Sequence, residues 1–555
     1  MPPVRQRPAS RGLRACVPAL LLGVAAIACP AGAAWGQSPD RAPGEAPPQT
    51  PASAANEPPR FEIVRFAVAG NSVLAAAAVD LALAPYTGLE RSFADVEAAV
   101  NALQRAYAQA GFGAVQVMLP EQRLTDGTVR LQVVEPPLRS VRITGAQHLD
   151  AAAVRRSLPA LREGATPNTD DLAAQIRLAN ENPARRLSVD LKSDAAGAID
   201  ATVTVSDDKP WKIGAVVDNT GTPATGRVRT GVFLQHANFA DRDHVLTTQY
   251  VFAPELLDRV AIAALNYRIP LVSLGDSIDL YGVHADVDSG VVSDLFAVRG
   301  RGSVLGVRYQ HNLKPTPALR QRLLFGFEER AYDNRVGSID GGGDDLVGDV
   351  TVHPASVGYA ATWADARRQV DAGATLVGNI AGGSNGHPQD FEAARAGARP
   401  GYSLLRWSLA VAEALPHDWQ LRLVAEGQAT RDALVSGEQF GIGGQDSVRG
   451  FLEREFINDK GVRASVELRG PDFGERLGAG IAAQALAFYD IGHVSRNHAL
   501  PGEVASTRIA SVGAGLRLSF APSITARLDA ARVTRGAGSQ VRGEGRLHFT
   551  LGVAY

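Results

Sequence analysis

From Trp211 to Tyr555 one texture repeats: short runs in which apolar and polar residues alternate, separated by Gly, Asp, Asn or Pro. Residues 228–236, 244–251, 261–269, 277–284, 320–327, 420–426, 464–468 and 508–520 are clear examples. Successive side chains on a strand point to opposite faces, so each run has one oily and one polar face. About sixteen such runs of roughly ten residues fit into this half, and a tilted strand of that length crosses the hydrocarbon of a bilayer. The last run is the clearest: Leu547, Phe549, Leu551, Val553 and Tyr555 alternate with His548, Thr550, Gly552 and Ala554. Ending on an interfacial aromatic suits the closing strand of an outer-membrane barrel. A mean hydropathy of −0.05 excludes a bundle of membrane helices but not a barrel, whose two faces average to neutrality. The competing reading, a water-soluble sandwich or propeller, lacks a blade repeat.

Residues 1–37 have the pattern of a secretory leader. Arg5, Arg7, Arg11 and Arg14 precede an apolar stretch centred on Leu20, Leu21, Leu22, Val24 and Ile27, and Ala34-Trp35-Gly36 precedes Gln37 as a cleavage site. Pro18 and Pro30 interrupt a membrane anchor, and the residues around Cys29 match a lipoprotein site poorly. Cys16 and Cys29 are the chain's 2 cysteines, so an exported mature chain has no disulfide, thiol nucleophile or cysteine–zinc site. Residues 38–59 are Pro/Ala-rich and read as a linker.

The 60–208 stretch contains an internal repeat. Phe66-Ala67-Val68-Ala69-Gly70-Asn71-Ser72-Val73-Leu74 matches Val141-Arg142-Ile143-Thr144-Gly145-Ala146-Gln147-His148-Leu149. Each copy reads as a strand, a turn glycine and the start of a helix, followed by a second helix and two strands. Residues 92–110 are the strongest helix, with Ser92 and Asp95 as a capping pair and Val96, Val100, Leu103 and Tyr107 on one face. The fold class is therefore an all-β transmembrane barrel preceded by two small α+β modules, at 60–136 and 137–208, with the barrel at 209–555.

No HExxH, GxSxG or P-loop pattern occurs, and an enzyme reading has no site. Gly275-Asp276-Ser277-Ile278 sits where a barrel turn belongs, and Asp340, Asp344 and Asp345 in the Gly-rich 337–347 loop lack EF-hand spacing. The 11 histidines form no metal cluster, and no cofactor is expected. A net charge of −2 argues against a nucleic-acid partner. The informative segment is Leu434 to Phe451, LVSGEQFGIGGQDSVRGF, whose glycines exceed what a hairpin needs and fit backbone packed into a confined space. Arg449 within it requires an anionic partner if buried. Asp490, between Tyr489 and Ile491 on a strand, faces the lumen by alternation and could accept a bidentate pair.

An ordered set of motifs goes further: Leu119-Pro120-Glu121-Gln122, Asn182-Pro183-Ala184-Arg185, Asp218-Asn219-Thr220-Gly221, the Leu434 to Phe451 segment, and Phe488-Tyr489-Asp490-Ile491-Gly492. Over residues 60–555 the chain resembles the two-partner secretion transporters of the haemolysin secretion/activation family, within the wider group of POTRA-bearing outer-membrane barrels. The resemblance implies two periplasmic POTRA domains and a 16-stranded barrel. It also implies that loop 434–456 folds inward, its tip Val448, Arg449, Gly450 and Phe451 meeting the strand motif of Phe488, Asp490 and Gly492. The loop then lies between the eleventh and twelfth strands, with Asp490 at the end of the thirteenth. Leu119, Pro120, Glu121 and Gln122 become substrate contacts. The implied activity is export, without ATP, of an unfolded secreted partner of the TpsA type, a large β-helical exoprotein, by a monomer seated in outer-membrane lipid. The alternative is an outer-membrane insertase, whose relatives carry more POTRA modules. Some family members carry a helix that plugs the pore, which the prolines of 38–59 disfavour.

Overall fold

The computed structural model describes residues 59–124, 126–194, 197–223, 225–287, 291–293, 296–297, 300–333, 348–520, 523–538 and 540–555. The leader at 1–37, the linker up to residue 58 and the 337–347 loop lie outside the described residues.

The first module contains a three-stranded sheet ordered β2 (Arg65–Ala69), β5 (Thr128–Val134), β4 (Gln116–Met118), with β2 parallel and β4 antiparallel to β5. Helix α1 (Ala76–Leu83) and helix α2 (Phe93–Gln109) cover it. Ser92 and Asp95 form a capping box at the start of α2, whose buried residues Val96, Ala99, Leu103 and Tyr107 follow the helical period into the core. A small pairing of β1 (Phe61–Ile63) with β3 (Gly88–Arg91) adds to the sequence reading; strands this short carry no legible alternation.

The second module repeats the plan. Strand β6 (Leu138–Thr144) runs parallel to β8 (Ile199–Asp207), which pairs antiparallel with β7 (Arg185–Ser193), under α3 (Ala151–Ser157) and α4 (Thr169–Ala179). A carboxylate at the same place in each copy holds the turn after the repeated glycine. Glu135 accepts from Ser72 N at 2.9 Å and Val73 N at 3.2 Å. Asp207 accepts from Gln147 N, His148 N and Leu149 N at 2.7–2.8 Å.

The Asn182-Pro183-Ala184-Arg185 stretch docks this module on the barrel. Asn182 Nδ2 donates to Ala237 O at 2.6 Å and Asp243 Oδ1 at 3.0 Å, and Arg185 forms a buried ion pair with Asp243 on the same barrel turn. Glu181 pairs with Arg268, and Asp170 with Lys314 at 2.5 Å, on neighbouring strands and turns.

The rest of the chain is a closed antiparallel barrel of 16 strands, from β9 (Trp211–Asp218) to the last strand, Gly545–Ala554, which pairs with β9. The eighth strand is broken between Val350–Val352 and Pro354–Ala364 without loss of register, because Pro354 has no N–H to donate to the ladder. Outward-facing Leu234, Leu265, Leu305, Phe327, Leu376, Ile491 and Leu551 are exposed and form an apolar outer surface. Several strands run longer than their apolar alternation, as with Leu319–Asp333 and Lys460–Arg469, because lumen-facing charges continue the period.

Burial works against the Asp207 carboxylate, yet the three backbone N–H donors and His148 hold its pKa below the ordinary carboxylate range. Its stabilisation is therefore present above about pH 4 and fades as pH falls through the lowered value. We predict that Asp207→Ala costs about 1–3 kcal/mol. In urea titrations of the full-length protein in detergent, the helical circular dichroism should be lost at lower urea, and acidification below about pH 4 should narrow the gap to wild type.

Candidate functional site

The chain between the eleventh strand, Gln420–Ala429, and the twelfth, Lys460–Arg469, turns back into the lumen. A short hairpin, Phe440–Ile442 with Phe456–Asn458, forms its stem. Two acidic anchors fix its entrance. Glu438, fully buried, accepts from Arg330 Nη1 at 2.7 Å, Tyr332 Oη at 2.8 Å and Arg406 Nη2 at 3.1 Å, all on barrel strands. Asp459 accepts from Leu434 N at 2.9 Å and Asn497 N at 2.7 Å, and pairs with Arg395 just after a short helix, α5 (Pro388–Ala394). Below the stem the backbone tightens: Gly444 has φ +108°, and a Cβ there would lie 2.1 Å from Glu453 Oε2.

The tip delivers Arg449 to the inner wall. Its Nε donates to Asp490 Oδ2 at 2.7 Å, Nη2 to Asp490 Oδ1 at 2.8 Å, and its own backbone N to Asp490 Oδ2 at 3.1 Å. Nη1 donates to Glu467 Oε1 at 2.9 Å and lies 3.6 Å from Asp529 Oδ1, while Nη2 also reaches Ser465 Oγ at 3.0 Å. The guanidinium carbon sits 3.4 Å from the centre of the Phe488 ring. Arg449 is 2% exposed and Asp490 fully buried, so the pair is held away from water and each charge depends on the other.

The neighbouring motif residues make this geometry possible. Val448 and Phe451 are fully buried with Ile442, Val494, Ile509 and Val533. A Cβ on Gly492 would lie 2.9 Å from Val448 Cγ2, so that strand position must be small for the tip to seat. Gly450 donates its N–H to His548 Nε2 at 2.9 Å. Asp490 lies within the thirteenth strand, Ile481–Ser495, rather than at its end, with Tyr489 and Ile491 exposed on the opposite face.

Sequence reasoning did not find Ser465, Glu467, Asp529 or His548. Their signal is the strand period itself: Arg463, Ser465, Glu467 and Arg469 alternate with Ala464, Val466 and Leu468, placing the polar set on the lumen face. The Leu119 to Gln122 motif is divided in the structure. Leu119 packs against the first module's core. Gln122 fills the β5 edge beyond β4, its Nε2 donating to Arg130 O at 2.8 Å and its Oε1 accepting from Arg130 N at 2.7 Å. Pro120 and Glu121 remain exposed. Among the described residues no group of His, Cys, Asp and Glu is arranged to hold a metal ion.

A closed barrel carrying paired α+β modules and an arginine-tipped lumen loop defines an outer-membrane transporter with periplasmic POTRA domains. Residues 361–518 match the model of the haemolysin secretion/activation proteins ShlB/FhaC/HecB, and residues 61–136 match the ShlB-type POTRA domain. The chain is 22% identical over 476 residues to the heme/hemopexin transporter protein HuxB of Haemophilus influenzae, covering 80% of this chain and 79% of that one. It is 28% identical over 197 residues to the outer membrane transporter CdiB-2 of Burkholderia pseudomallei, where the alignment covers 32% of this chain and 33% of that protein. In fold it is similar to CdiB from Escherichia coli, with a TM-score of 0.67 and 19% identity over 92% of each chain. The matched stretches are those of the haemolysin secretion/activation proteins, and with these relatives the chain is a two-partner secretion transporter, a type that acts with secreted exoproteins.

Lysine keeps the charge at 449 but cannot reproduce the forked contact with Asp490, Glu467 and Ser465. Arg449→Lys should weaken tip docking by about 2–5 kcal/mol and lower the temperature at which the barrel loses its heat-modifiable gel mobility. An unchanged transition would mean that charge alone holds the tip.

Proposed function

We propose that this chain exports one unfolded secreted protein through the barrel, with the POTRA modules receiving it and the lumen loop governing the passage. The observation that carries the reading is the fully buried Asp490 gripping Arg449 at the tip of a loop that occupies the lumen. A chain can pass only if that loop shifts, so the clamp marks the element that distinguishes a closed from a conducting state. Removing one partner of such a pair costs about 3–5 kcal/mol, enough to bias a two-state element by two orders of magnitude or more.

The free edges of the module sheets supply reception. In the first module β2 and β4 flank β5, and in the second β6 and β7 flank β8, leaving outer edges on both sheets. Unpaired edge N–H and C=O groups accept an extended segment with little demand on its sequence. Pro120 and Glu121, exposed beside the first sheet, are positioned to meet such a segment. No energy source is required at the membrane if the partner folds outside, since folding there opposes its return. A β-helical exoprotein fits this best, because its repeats can stack as they emerge. The exporter acts as a monomer, with lipid on its outer wall and no catalytic step of its own.

The test is co-expression of a candidate exoprotein with this chain, scored by its appearance in the medium. Arg449→Ala should leave a heat-modifiable barrel in the membrane yet reduce secretion by about tenfold or more. Full secretion by a folded Arg449→Ala barrel would refute the role of the clamp, and secretion independent of the barrel would refute the pairing.

A further inference from the structure

We infer that His548 is a positioning residue for the loop tip, and that it couples the tip to the seam where the barrel closes. The seam is short: the last strand pairs with β9 through Thr550, Leu551, Gly552, Val553 and Ala554, but with the preceding strand all the way from Gly545 to Val553. Beyond the paired stretch, the side chain of Asn219 continues the ladder. Its Nδ2 donates to Leu547 O at 2.7 Å, and its Oδ1 accepts from Phe549 N at 3.0 Å. Asn219 N also donates to Phe549 O at 3.4 Å, so the amide side chain supplements the backbone at Phe549 and extends the ladder to Leu547.

His548 points the other way. Leu547 is exposed on the lipid face, whereas His548 is 1% exposed inside, where its Nε2 accepts the Gly450 N–H. Acceptance at Nε2 requires the neutral ring with its proton on Nδ1. A second tip contact lies next along the inner face: Gln445 Nε2 donates to Thr550 Oγ1 at 2.6 Å, and Thr550 is itself paired with Asp218 across the seam. Consecutive residues of the tip therefore grip different parts of the wall. Arg449 holds the thirteenth strand through Asp490, and Gly450 holds the sixteenth through His548.

The consequence is reciprocal. Withdrawal of the tip strips the inner contact from the segment whose outer contacts close the barrel, and loosening of the seam moves the acceptor on which the tip rests. This goes beyond the export reading, and it is tested on the transporter alone, without cargo, so its failure leaves that reading standing.

Ser447, 8% exposed at the tip, provides the probe. The full-length Ser447→Cys protein is placed in phospholipid vesicles, and its labelling by a charged maleimide is timed, with the parent lacking that change giving the background. Loss of the buried acceptor in His548→Ala should speed labelling by about tenfold. His548→Gln, which restores an acceptor, should label close to the Ser447→Cys rate. Asn219→Ala, at a residue whose hydrogen bonds go to the closing strand, should also speed labelling. Labelling of His548→Gln as fast as His548→Ala would overturn the acceptor role. An unchanged rate in a heat-modifiable Asn219→Ala barrel would overturn the coupling. If His548→Ala does not assemble, labelling of His548→Gln about tenfold faster than Ser447→Cys alone would overturn the acceptor role, and the Asn219→Ala arm decides the coupling as before.

Discussion

Hydrocarbon offers the backbone no hydrogen-bond partner, and that constraint dictates the rest of this molecule. A sheet in lipid must satisfy every N–H and C=O internally, so its last strand must return to its first. Sixteen strands make that closure, and a cylinder of that girth encloses more space than lumen side chains fill. The inner wall is therefore polar and charged, and it needs an occupant that matches it. The loop between the eleventh and twelfth strands is that occupant, tied by acidic anchors at its entrance and by an arginine at its tip. Closure in lipid thus leads by physical steps to a buried ion pair that an oily core would have avoided.

The arrangement of charge around the tip explains why one arginine can be buried there. Asp490, Glu467 and Asp529 face Arg449, while Glu467 also pairs with Arg469, and Asp529 with Arg517 and Arg527. Glu467 and Asp529 are thus shared between the loop and the wall and keep arginine partners when the loop withdraws, whereas Asp490 keeps only Ser465 Oγ at 2.6 Å. Such a wall tolerates the loop both in place and displaced far better than a single isolated pair would. That is what the proposed shift of the loop would require of the wall if the barrel is to stay folded.

Much of this was legible in the sequence, for reasons of period. Strand alternation forces side-chain direction, so Asp490 between Tyr489 and Ile491 could be read as lumen-facing, and the helical spacing of Val96, Leu103 and Tyr107 marked the face that α2 buries. What stayed hidden depends on register between distant strands. Ser465 stands opposite Asp490, and His548 lies 98 residues from Gly450; no local pattern states either relation. The split of the Leu119 to Gln122 motif was hidden for a similar reason. Only the pairing of Gln122 with Arg130 shows that this side chain completes a strand edge instead of facing solvent.

The same logic of borrowed strand positions recurs at both ends of the transporter. Gln122 completes the β5 edge in the first module, and Asn219 completes the edge of the closing strand in the barrel. A side-chain amide offers a donor group beside an acceptor oxygen, as a backbone residue does, but it can swing away by rotation about two or three bonds without dragging the chain. Where a ladder must hold at rest and yield on demand, an amide side chain is a weaker latch than a backbone residue and a stronger one than water. Both amides occur where the proposed export would need a ladder to open: one beside the outer edges of the first module's sheet, the other beside the seam that the loop tip reaches.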